Sequence, residues 1–185
     1  NDKVYAFQYH PNQTQPLKAD PRRDVTFAPG SGPRHMVFSA NGQHAYVTAE
    51  MSSEIVTFKV QDGYLKKVAQ NKLVAAHATP KFKSASGIIL SPDGKYIVTA
   101  NRGSHNALLV FKVQPNGLLA QPVSYKANGI EPRAFSFDIT GRYLYVANVF
   151  SNNISLFHFD PKHGTLKPAG DAAKISTPTD IKFFE

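Results

Sequence analysis

An all-β propeller is the architecture this chain predicts, and three observations carry the prediction. One pattern is written three times, from Pro33, Ser84 and Pro132: an apolar strand, a turn ending in Gly, a second strand closing on Ala or Asn, and a third strand carrying Phe. Its turn glycines, Gly42, Gly94 and Gly141, stand 52 and 47 residues apart, the period of a propeller blade rather than of a helical solenoid. Thirteen Phe and eight Tyr accompany little amphipathic helix patterning, while Asn41-Gly42 and Asp93-Gly94 between alternating apolar runs are hairpin signals.

Each blade reads as four antiparallel strands. The first runs over Arg34–Ser39, Gly87–Ser91 and Arg133–Asp138, and the second over His44–Ala49, Tyr96–Asn101 and Tyr143–Asn148. The third covers Ile55–Val60, Leu108–Val113 and Ile154–Asp160. The fourth is weak, as in Leu65–Asn71 or Gln121–Lys126, with the Pro and polar content of an exposed edge. Leu73–Lys83, rich in Ala and Lys, reads as an inserted surface loop.

The repeat also divides the chain. Residues 32–83, 84–130 and 131–177 are three nearly complete blades; 1–31 reads as the end of one blade, with Phe7 matching Phe58, Phe111 and Phe157, and 178–185 as the first strand of a further blade. Three blades and two partial ones leave faces and edges uncovered. The expectation is therefore the C-terminal half of a longer propeller, or a chain that closes its ring with another chain, and a fragment inactive by itself.

Composition narrows the partners. Without cysteine there is neither a disulfide scaffold nor a Cys zinc site. The net charge of +8 favours anionic partners, yet the Lys and Arg residues are scattered over turns and strand ends instead of forming the patches of a nucleic-acid binder. No apolar segment is long enough to cross a bilayer. His10, His44, His77, His105, His158 and His163 lack metal-ligand spacing, and no Gly-rich phosphate loop or G-x-S-x-G elbow is present. Neither a metal nor a cofactor is expected.

Differences between copies locate candidate chemistry, because residues common to all three are architectural. Asn101 and Asn148 recur after the second strand and are expected to cap the following turn. The next position holds Glu50, Arg102 and Val149, opposite charges in adjacent blades. At the start of the first strand stand Arg34-His35, Ser86-Gly87 and Arg133-Ala134. Antiparallel pairing puts the start of the first strand and the end of the second at one sheet edge, so Arg34, His35, Glu50, Arg102 and Arg133 share one rim of the central channel. A basic ring with one carboxylate and one imidazole suits an anion pocket with acid/base capacity.

Gly32-Pro33-Arg34-His35-Met36-Val37-Phe38 with Glu50, then Ser91-Pro92-Asp93-Gly94 with Asn101-Arg102, then Pro132-Arg133 with Ala147-Asn148, resembles the seven-bladed propeller lactonase family. That family includes the propeller-type 6-phosphogluconolactonases and the carboxy-muconate lactonizing enzymes. The resemblance spans essentially the whole chain and maps it onto the family's C-terminal half. It implies a cytoplasmic hydrolase that opens a small anionic sugar lactone, with Arg34 and Glu50 in the site motifs, Arg102 in the Asn-Arg motif, and His35 and Arg133 in the Arg-His and Pro-Arg motifs. Glu50 is then the expected base, with His35 as alternative; Arg34 and Arg102 hold the substrate's anionic group or the oxyanion, and Arg133 supports them. Two departures stand out: Ala49 replaces the Asn that often precedes the glutamate, and a family histidine proposed for catalysis lies in the absent N-terminal half. The competing readings are a non-enzymatic propeller that binds an anion or a protein through the same mouth, and a purely structural Arg34–Glu50 ion pair.

Overall fold

The computed structural model describes residues 1–74 and 82–184. Strands dominate it. Four short strands come first: β1 (Lys3–Val4) pairs with β4 (Val25–Thr26), and β2 (Phe7–Tyr9) with β3 (Leu17–Ala19). A single 3-10 turn at Pro21–Arg23 interrupts the second leg of this ribbon, with the buried Asp20 held by Gln8, Arg22 and Arg23.

Three four-stranded antiparallel sheets follow among the described residues. They are β5 (Pro33–Phe38), β6 (His44–Ala49), β7 (Glu54–Gln61) and β8 (Tyr64–Lys72); β9 (Lys83–Leu90), β10 (Tyr96–Gly103), β11 (Ala107–Lys112) and β12 (Val123–Lys126); and β13 (Pro132–Phe137), β14 (Tyr143–Asn148), β15 (Asn153–Asp160) and β16 (Thr165–Lys174). Within each sheet the strands keep chain order, and β5, β9 and β13 lie side by side as the inner strands.

Period-2 alternation explains where the core sits. On β10, Ile97 faces the first blade and packs with Tyr46, Ile55 and Phe111, while Val98 and Ala100 face the third blade and pack with Phe135, Leu144 and Val146. The core therefore lies in layers between blades. Phe58, Phe111 and Phe157 are fully enclosed in those layers, each worth roughly 1.5–3 kcal/mol of burial. Their sequence counterpart Phe7 is 56% exposed, on a two-stranded ribbon that offers it no such layer.

The fourth strand of the first blade is longer than expected and that of the second shorter; β9 and β10 are also extended toward the rim. The expected loop Leu73–Lys83 falls mostly outside the described residues, and its flanks depart from it, since Leu73 and Val74 are buried and Lys83 already pairs opposite Gly103. Residues 178–184 join none of the sheets, because a lone first strand has no partner to pair with; Phe183 instead packs on Tyr145, ring centroids 4.9 Å apart. The turn-cap reading of Asn101 and Asn148 is corrected. Asn101 Oδ1 accepts from the Ser53 hydroxyl of the first blade and from the Ser84 amide, whereas Asn148 donates to the Val146 carbonyl and the Ser155 hydroxyl. Both amides face inward across strands instead of forward into the turn.

All three blades carry the same irregularity. Where the inner strand meets the second, two residues oppose one, and the extra residue is Arg34 in the first blade and Arg133 in the third; in the second the shift falls at Ser86-Gly87. A bulge re-aims the side chain that it carries. Hydroxyls staple these bulges to one another: Thr48 Oγ1 donates to the Ser86 carbonyl at 3.2 Å, and Ser86 Oγ to the Pro132 and Arg133 carbonyls at 2.7 and 2.9 Å. Ser86→Ala in the full-length protein is expected to cost about 1–2 kcal/mol, because it orphans buried carbonyls. Urea unfolding reads the loss, and an unmoved midpoint would show that the staple carries no stability.

Candidate functional site at the channel rim

Two positions per blade build the rim site, one at the start of the inner strand or just before it and one at the end of the second or just after it. In blade order they are Gly32 and Glu50, Ser84 and Arg102, and Glu131 and Val149. Arg102 lies opposite Ser84 in the ladder, so its guanidinium starts in the middle blade and reaches both neighbours. One terminal nitrogen, Nη2, bonds Glu50 Oε1 and, at 2.7 Å, Ser84 Oγ; the other, Nη1, lies 2.9 Å from Glu131 Oε1. With 6% of its side chain exposed, Arg102 is a buried cation between two carboxylates.

Glu50 is fixed at backbone and side chain. Its amide donates to the Gly32 carbonyl at 2.7 Å, and its own carbonyl accepts from Ala85 of the next blade at 3.0 Å. On the carboxylate, Oε1 accepts from Arg102 and from the Ser84 hydroxyl (3.3 Å), filling its two lone-pair sites, while Oε2, among the described residues, meets Arg34 alone, in an ion pair with Nε at 3.0 Å. One acceptor site on Oε2 stays free, on a side chain that is still 32% exposed. Ser84 supplies the orienting hydrogen bond that Ala49 cannot.

Arg34 stands on the bulge, mostly buried, with Nη1 unpartnered. Desolvation holds its guanidinium below the ordinary arginine range; Glu50 opposes that fall, and Arg102 and Arg133 add to it. Arg133, on the equivalent bulge, is half-buried and has no carboxylate partner among the described residues. His35 projects beside Arg34 with an exposed ring, and no hydrogen bond to that ring appears among the described residues. Desolvation first, then the charge of Arg34, holds the ring below the ordinary 6.5, with Glu50 and Asp180 pulling the other way.

The folded chain thus favours neutral His35. The unfolded chain binds the proton more readily, so this contribution to stability is present above pH 6.5 and is lost as the pH falls through 6.5 toward the lower folded value. An NMR titration of the ring in the full-length protein should find its midpoint below 6.5, and His35→Gln should remove that component of acid sensitivity. A midpoint above 6.5 would overturn the assignment.

Of the five residues expected at the rim, Arg34, Glu50 and Arg102 are in direct contact, whereas His35 and Arg133 share the rim and its field without touching them through a hydrogen bond. Glu131 and Ser84 join the site without being among the five residues expected there. The signal for Glu131 was present, since its position carries Gly32, Ser84 and Glu131 in the three copies, as irregular as the position that singled out Glu50. Glu131 also has φ of +64°, beside +63° for its counterpart Gly32, a left-handed conformation that costs a non-glycine residue about 1 kcal/mol or more.

Among the described residues no group of three or more His, Asp or Glu side chains is placed to hold a metal ion. A cleft of about 550 Å³ lies between β4 and the outer strands β7 and β8, and contains none of the rim charges.

Comparison with known proteins agrees with this architecture. A family model described as "Lactonase, 7-bladed beta-propeller" matches residues 1–183. A 6-phosphogluconolactonase of Formosa agariphila is 30% identical over 186 residues, covering 100% of this chain and 52% of that protein. One from Bacillus subtilis is 32% identical over 162 residues, 86% of this chain and 46% of the relative. The periplasmic gluconolactonase of Pseudomonas aeruginosa superposes with a TM-score of 0.92 at 35% identity, over 100% of this chain and 51% of that one. The chain spans about half the length of the curated relatives it matches.

Proposed function

The chain belongs to the seven-bladed β-propeller lactonase family, and from that premise we propose that the full-length protein hydrolyses a small anionic sugar lactone, with 6-phosphogluconolactone the expected substrate. The observation that carries this reading is a partly exposed carboxylate, Glu50, held by two hydrogen bonds and the Arg34 ion pair, with acceptor capacity left open on Oε2 at the channel mouth. Opening a lactone needs a base for water and positive donors for the oxygen that gains charge. Glu50 Oε2 takes a proton from water as the water oxygen bonds to the lactone carbonyl carbon. The ring C–O bond then breaks, and the departing alkoxide oxygen regains a proton to give the hydroxy acid.

Arg34, whose side chain keeps 15% exposure beside its Nε contact with Glu50, and Arg133, half-buried and without a carboxylate among the described residues, are the cations left to hold the substrate's anionic group. Arg102 is assigned to positioning Glu50, because both of its terminal nitrogens are already engaged. Neutral His35 is the alternative base. The remainder of the ring comes from the protein half that this chain does not span, or from another chain.

A coupled assay of 6-phosphogluconolactone hydrolysis by the full-length protein, beside a thermal-shift screen of sugar phosphates, tests the reading. Turnover supports it. Stabilisation by the anions without turnover would make the rim a binding module, and no response in either experiment would leave the Arg34–Glu50 pair as structural.

A further inference from the structure

We propose that Glu131, which lies outside the motifs that first marked the rim, is a positioning residue that controls how much of Glu50 remains open to water. The inference rests on the catalytic reading of Glu50 given above. It stands on two independent observations, the placement of Glu131 on the far nitrogen of Arg102 and its left-handed backbone at a position where the first blade has glycine.

The guanidinium of Arg102 is a rigid fork with a carboxylate at each end. Glu131 attracts Nη1 toward the third blade while Glu50 attracts Nη2 toward the first. Balanced in this way, Arg102 meets Glu50 through Oε1 alone, and Oε2 keeps its open acceptor site. With Glu131 neutral, the buried cation has one counter-charge. The fork then moves toward Glu50 and competes with water for Oε2. Glu131 itself touches neither substrate nor water in this scheme, so its effect falls on turnover. Substrate binding stays with Arg34 and Arg133.

The test is a mutant cycle in the full-length protein, with rates normalised to folded protein. Glu131→Gln should lower kcat about tenfold with KM changed by less than about twofold. Glu131→Asp should restore part of the rate by keeping the charge. In an Arg102→Gln background, adding Glu131→Gln should change kcat by less than about twofold, because a residue that acts through Arg102 has nothing left to act on. A purely structural role would lower the folded fraction and leave kcat per folded molecule unchanged, and that result would overturn the proposal. Equal effects of Glu131→Gln with and without Arg102 would overturn it as well. Should Glu131→Gln fail to fold, Glu131→Gly carries the same test, since glycine suits φ of +64°. Failure of the underlying reading shows separately, as a Glu50→Gln variant that keeps its turnover.

Discussion

Glu50→Gln in the full-length protein should lower kcat for lactone hydrolysis by about a thousandfold while KM changes little. Glutamine retains the volume and one acceptor oxygen, so with that oxygen in the place of Oε1 Ser84 and Arg102 keep their partner, while Arg34 Nε faces the amide nitrogen and loses its own. What disappears is the capacity to take a proton from water. On the proposed reading binding survives, because the anion rests on Arg34 and Arg133, neither of which needs Glu50 to carry charge. The same variant separates the candidate bases. If His35 is the base, His35→Gln shows the large loss instead, and a Glu50→Gln enzyme with unchanged turnover would exclude Glu50 from the chemistry.

Arg102→Met should be the most destabilising change at the rim, by about 3 kcal/mol. Methionine fills much of the volume but strands two carboxylates: Glu131, 14% exposed, loses the one cation it meets among the described residues, and Glu50 keeps Arg34. An uncompensated buried charge costs more than the original pair contributed. Adding Glu50→Gln and Glu131→Gln to Arg102→Met should therefore recover much of the loss, although each removes a native group. Urea midpoints at constant m-value measure the series. A triple variant no more stable than Arg102→Met would show that the penalty lies in packing and not in charge.

The strands were legible because their signals are local. Turn glycines mark the hairpins, alternation marks the faces, and the third-strand Phe recurs at the blade period, so most strand limits fall within a few residues of those expected. The candidate site stands out through its breaks with that pattern, which single out Glu50 and Arg102. The pairings were less legible. A bulge is a property of two strands together, and nothing in Pro33-Arg34-His35 alone says that Arg34 will have no opposite number. Ser84 lies three residues ahead of the first strand expected in its blade, yet β9 reaches it, so that it sits opposite Arg102 and completes the shell of Glu50. Asn101 and Asn148 suggested turns by residue type, but their side chains bond sideways, a direction set by the neighbouring strands and blade.

Because Arg102 takes a carboxylate from the blade on either side, the span from Glu50 to Glu131 is tied to the pitch between successive blades. The guanidinium acts as a gauge of ring curvature. A change in the pitch between these blades would therefore change how firmly Glu50 is gripped.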